Sequence, residues 1–349
     1  MGIEPASMTA VICRNTADRK AGTWANQLEP FPALEFAVSD AAKGIAKAVA
    51  GVALSRHDGP SSRPLEHGLD VFHTAMEANR VLAWQWRRVE VTWEQSDAAG
   101  AKLAAAKRKG VDSHGEAQRG RAAWGKAVAA FEQAERLESA WDRAHAALEL
   151  FGPDGRLNDR ARAESEIAAA VLGLTGPDWS TVRNFLNDPR CLAFLDRMNR
   201  RLEAAEPRRD WREALAWRWW LRHRRPRPSG PLTDLLRAAA RAGPLSAEER
   251  ASYERISAVL RDTFRASSAV ECMNSVLRMQ QSRHRRMTQA MLDLKRLFWN
   301  SHPFRSGPRK DDCPYQALGL ELPTYDFWGL LHTDPDTLTQ KLSTHGNTE

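Results

Sequence analysis

The hydrophobic pattern changes character along the chain. The small and β-branched run from Ala6 to Arg14 predicts a strand, and Ala21 to Leu28 predicts a short helix carrying Trp24, closed by Pro30 and Pro32. Leu34 to Val38 alternates in the manner of a buried strand and ends at Ser39 and Asp40; the Ala-rich stretch 41–54 predicts a helix. Strand, helix, strand, helix is the pattern of an α/β sheet. After a loop at 55–64, Leu65 to His73 predicts one further short strand.

From Thr74 to about Leu260 β-branched runs vanish, and Ala, Glu, Arg, Leu and Gln dominate. A helix over 74–109 carries Trp84, Trp86 and Trp93. After a break at 110–120, a second over 121–151 sets Phe131, Leu137, Trp141 and Leu148 on one stripe. Two long helices with a short break predict an antiparallel hairpin. Further helices are predicted over 159–173, 178–204 and 208–224, a linker over 224–231, and helices over 231–242, 246–264, 267–281 and 288–300. Prolines 303, 308, 314 and 323 keep the following chain irregular, and the polar tail after Leu331 is expected to be loose. No internal repeat is apparent.

Composition narrows the class. The 349 residues are 42% hydrophobic and 27% charged, so a packed core is expected. The net charge of +7 is uneven: residues 200–310 hold 25 Lys and Arg against 11 Asp and Glu, a net of +14, which leaves −7 for the rest. That basic stretch is almost all Arg, whose planar fork matches phosphate oxygens; a solvated basic face with no partner is the alternative. The four cysteines (13, 191, 272 and 313) form no CxxC pair, which argues against a zinc finger and a disulfide framework and for a reduced, cytoplasmic setting. The start has no signal-peptide pattern, and no apolar run approaches 18 residues, so no membrane partner is expected.

Asp40 ends a predicted strand, where carboxylates often face a site, or it caps the helix that follows. On a helix, Glu271, Asn274, Ser275, Arg278 and Ser282 share one polar face, with Val270, Met273 and Leu277 as an adjoining apolar stripe. Such a Glu could hold a metal while the Arg holds phosphate; an amphipathic helix with a wet side is the plain alternative. Beyond it, Lys295, Arg296, Arg305, Arg309 and Lys310 accompany Phe298 and Trp299. In the stretch 210–225, Trp211, Trp217, Trp219 and Trp220 stand among arginines, as stacking platforms for bases or as helix-interface packing. His73 and Glu77 are one helical turn apart but lack a third ligand, so a structural histidine is expected; Cys272 is expected to pack as a small apolar side chain.

Taken together, two strings resemble the closing part of bacterial insertion-sequence transposases of the DDE class. One is Ser268, Val270-Glu271, Asn274-Ser275 and Arg278. The other runs from Leu294 and Trp299-Asn300 through Phe304, Gly307, Arg309 and Pro314 to Leu318 and Leu320. The opening is similar to the region around their second catalytic Asp: Asp18-Arg19, Thr23-Trp24, then a strand running into Asp40 and Lys43-Gly44-Ile45, with Leu69 to His73 like the next strand. The match covers both ends and little of the middle.

The resemblance implies a helix-dominated α/β protein with a ribonuclease H-like core, its first strand missing, split by a large all-α insertion. Residues 1–75 would form the first part of the core, 76–260 the insertion, 261–330 the closing helices and basic segment, and 331–349 a flexible tail. Asp40 and Glu271 would be the second and third catalytic carboxylates and hold Mg²⁺ or Mn²⁺. Arg278, Arg285, Arg286, Lys295, Arg296, Trp219 and Trp220 would contact double-stranded DNA at transposon ends in the bacterial cytoplasm, and a homodimer fits that role. The pattern needs another Asp on an earlier strand. Without it the expectation is little or no strand transfer, with a non-enzymatic DNA-binding remnant or a structural helical protein as alternatives.

Overall fold

A computed structural model describes residues 1–57, 64–223, 243–266, 268–281, 287–307 and 309–345. The predicted linker at 224–231 and helix at 231–242 fall outside them. Helix dominates, with two small two-stranded sheets, and the chain divides into two compact units. Unit 1 combines Met1–His67 with Ala266–Glu349; unit 2 is Gly68–Arg265.

In unit 1 the predicted strand over 6–14 is instead a hairpin, β1 (Gly2–Glu4) antiparallel to β2 (Thr9–Ile12). Glu4 causes the difference, because its carboxylate accepts the backbone N–H groups of Ala6 and Ser7 at 2.9 and 2.7 Å and bends the chain there. Helix α1 (Ala21–Leu28), strand β3 (Phe36–Ser39), helix α2 (Lys43–His57) and strand β4 (Glu66–Leu69) follow, with β4's last two residues in unit 2. Strand β3 pairs with β4, not with β1 or β2, so the predicted α/β elements form two separate pairs among the described residues. Leu28, Ala48, Val49, Val52 and Leu65 make one apolar cluster. Ala10, Cys13, Met273, Leu277 and Leu292 make another, which joins the hairpin to the late helices.

The strand expected over 65–73 stops early. Asp70 takes the Phe72 N–H at 2.8 Å as an N-cap, and Val71 begins a helix. Unit 2 is then built on α3 (Val71–Arg108) and α4 (His114–Ala147). Trp86 meets Phe131 and Trp93 meets Trp124, both edge to face, so positions pair in opposite order, as an antiparallel hairpin requires. The break is shorter than predicted: Gly115 and Gly120 lie within α4. Helix α5 (Arg160–Gly173) follows. The helix expected over 178–204 is interrupted at Asp188-Pro189 and becomes α6 (Ser180–Leu186) and α7 (Ala193–Ala205). Helices α8 (Arg209–His223) and α9 (Ala247–Arg261) complete unit 2.

Back in unit 1, α10 (Ser268–Gln281) and α11 (Gln289–Ser301) precede three short helices, α12 (Pro314–Ala317), α13 (Phe327–His332) and α14 (Pro335–His345). The tail expected to be loose is thus helical to His345. Asp334 accepts the Thr337 N–H at 3.1 Å and Pro335 opens the first turn.

Candidate functional site

Helix α10 is amphipathic, as its pattern requires. Met273 and Leu277 are buried against the β1–β2 hairpin, and the opposite side is exposed. Glu271 stands half-buried at the border. Asn274 Nδ2 donates to one of its oxygens at 3.2 Å, and Arg278 Nη2 lies 3.8 Å from the other. Carboxylate, amide and guanidinium therefore form one row over two turns. Arg278 is 73% exposed, so the ion pair contributes about 0–1 kcal/mol and leaves the guanidinium accessible to a phosphate. Cys272 is exposed, contrary to the expectation that it packs inside, because it shares the outward side of the turn with Ser275.

Asp40 follows β3 with its side chain exposed and accepts the Ala42 N–H at 3.3 Å, ahead of α2. Beside it the Ser39 hydroxyl donates to the Asp40 carbonyl at 2.9 Å and lies 2.8 Å from His67 Nε2, which makes that nitrogen the donor to Ser39. His67 was not singled out from the sequence; its one signal was a place on the strand next to β3. Gly44, two residues into α2, has no room for a side chain, since a Cβ would strike the Arg19 carbonyl. The Asp18-Arg19 and Lys43-Gly44 strings thus meet in space and fix the turn that carries Asp40.

Asp40 and Glu271 belong to one compact unit. Their oxygens are of the kind a hard cation takes. Among the described residues, however, no group of three or more His, Cys, Asp or Glu side chains comes together to hold a metal. Both Glu271 oxygens already face Asn274 and Arg278.

The Trp299-Asn300 pair is a clasp. Trp299 Nε1 donates to the Met8 carbonyl at 2.9 Å, and the buried Asn300 amide accepts from Ala10 N–H at 2.8 Å and donates to Ala10 C=O at 3.1 Å. Gln289 does the same one helix-length away, at Cys13 and Asn15. Arg296 is half-buried, bonded to the Val11 carbonyl at 3.3 Å and 3.7 Å from Asp293; Lys295 beside it is half-buried. Arg285 and Arg286 lie outside the described residues.

In unit 2, Trp219 stacks between Phe151 and His223, with ring centroids 5.9 and 4.5 Å away, and Trp220 tilts against Phe151. Gly155, at φ +79°, makes this possible, since a Cβ there would collide with Trp217 and Trp220. These indoles are engaged in packing. His73 Nδ1 bonds the Asp70 carboxylate, and Glu77 pairs with Arg80 at 2.6 Å.

No family model, curated protein or solved structure matches this chain. Among the described residues no helix is long and apolar enough to cross a membrane.

Proposed function

We propose that the chain is a transposase-like DNA-binding protein with a ribonuclease H-like unit split by a helical body, and with little strand-transfer activity of its own. One observation carries the reading: residues from the two ends of the sequence, the turn holding Asp40 and the helix holding Glu271, belong to a single compact unit, while Gly68–Arg265, helix-rich among its described residues, forms another. The basic stretch over 200–310 and the exposed Arg278 support DNA as the partner. Asp40 and Glu271 are the two carboxylates the reading offers, so Mg²⁺ or Mn²⁺ would be held weakly.

The test is binding of the purified full chain to duplex DNA over a range of salt, followed by a nicking assay with and without Mg²⁺. Binding that weakens steeply with salt is expected; absence of binding at low salt would overturn the reading. A second reading, a purely DNA-binding remnant, is favoured by the Glu271–Arg278 pair, which places a cation 3.8 Å from the carboxylate that the metal would need. Mg²⁺-dependent nicking that disappears in Glu271→Gln would reject it.

A further inference from the structure

We propose that Arg218, Arg222 and Arg250 form a pocket in unit 2 that binds a phosphate group, in the first place one of a nucleic-acid backbone. The identity of that phosphate donor rests on the preceding reading; the pocket itself does not.

The cavity has a volume of about 590 Å³ and lies between α8 and α9, with Gly243, Pro244 and Leu245 along its rim and Tyr253 and Glu254 on its wall. That is room for a phosphodiester and part of a sugar. Three guanidiniums face one carboxylate, so the lining is cationic. Three other acids of these helices have partners of their own. Glu249 closes the α9 capping box on Ser246, Glu248 pairs with Arg208 at 2.8 Å, and Glu213 pairs with Arg209 at 2.8 Å. Among the described residues no carboxylate forms an ion pair with Arg218, Arg222 or Arg250, although, after the Ser246 backbone N–H, the charge of Arg218 helps to hold the Glu249 carboxyl below its ordinary value.

Arg218 is held in place and still incomplete. Its Nη2 donates to the Gly243 carbonyl at 2.9 Å, while its buried Nε has no acceptor among the described residues. A buried donor without a partner is costly in a folded protein, and an anion oxygen is the acceptor a guanidinium favours. Arg222 lies 5.7 Å from the centre of the Tyr253 ring, a cation–π contact that orients the guanidinium and leaves its N–H edge available. Arg250 is exposed on α9. A tethered guanidinium, one set against a tyrosine ring and an exposed one, on two helices, can enclose a tetrahedral anion.

The experiment uses the full chain and a short labelled duplex, with affinity measured against salt. The double variant Arg222→Ala/Arg250→Ala is compared with Arg87→Ala/Arg136→Ala, which removes the same charge from exposed positions elsewhere in unit 2. The expected result is a salt slope shallower by about 0.9 per lost contact in the pocket variant and a smaller change in the control. Equal changes in both would mean bulk charge and would overturn the pocket. Calorimetric titration with inorganic phosphate is the second arm. Phosphate binding lost in the pocket variant, with no DNA binding by the parent chain, would sustain the pocket and defeat the DNA reading. Binding of neither probe would defeat the pocket too. Arg222→Gln/Arg250→Gln repeats both arms if the alanine variant melts earlier than the parent.

Discussion

The two units are held together by different means. In unit 2 the largest side chains sealed from solvent, among them Trp179, Leu137, Leu195, Met198 and Leu202, come from several helices in turn. In unit 1 Met273 is the one such side chain among the described residues. Its characteristic ties are side-chain amides bonded to backbone nearly three hundred positions away, as at Asn300 and Ala10. A core of interlocked hydrocarbon tolerates the loss of any one polar bond. A hairpin held by two or three amides does not. The contrast predicts that unit 1 is the less stable, and that its candidate site fails first under stress.

The largest test removes packing from each unit. Leu202→Ala should cost unit 2 about 2–5 kcal/mol, and Met273→Ala should cost unit 1 a similar amount. Hydrogen exchange resolved by segment should show each loss confined to its own unit; loss of protection everywhere would mean that the units melt as one. Asn300→Ala comes next. It leaves the Ala10 N–H and C=O without the amide they bond, at about 1–3 kcal/mol for each buried group left unsatisfied, and should speed exchange in the β1–β2 hairpin while leaving unit 2 unchanged.

A smaller effect separates the units by pH. Glu206 is held down to about 2 by the Arg208 guanidinium first and the Ser252 hydroxyl second, from an ordinary 4.5. A lowered carboxyl favours the folded state when ionised. Its contribution is complete above about pH 4.5 and is lost as pH falls from there toward 2. Unit 2 should therefore lose melting temperature across that window, and Glu206→Gln should flatten the loss while lowering the melting temperature at neutral pH. The smallest test disturbs nothing. Cys272 is exposed, whereas Cys13, Cys191 and Cys313 are buried, and burial pushes the Cys191 thiol up to about 12. An aromatic disulfide reagent should titrate one thiol in the native chain and four after denaturation; fast reaction at a second would show that one of the units opens readily.

Much of unit 2 was legible because long helices repeat their pattern many times. The hairpin of α3 and α4 follows from two long helical patterns with a short break between them. Its turn was misjudged because Gly115 and Gly120 read as breakers locally, yet both lie within α4, where a glycine costs a helix only about 1 kcal/mol. The row of Glu271, Asn274 and Arg278 was legible because helical spacing alone puts those positions on one face. The hairpin at the start was not, since the carboxylate of Glu4 bends a run that reads as one strand. Nor was the arginine pocket, which needs α8, α9 and the Gly243 turn to converge. Asn300 carried a signal in its string but not its role: a clasp on backbone leaves no periodic trace.

That clasp has a consequence for the order of events during translation. Ala10 leaves the ribosome long before Asn300 is made. At roughly 5–20 residues per second the hairpin waits about 15–60 s for the amide that completes it. The intervening helices, whose contacts are mostly near in sequence, have time to form in that interval. The nascent chain should thus carry a finished helical body while the hairpin segment is still unpaired, and chaperone demand should concentrate on that segment until Asn300 has emerged.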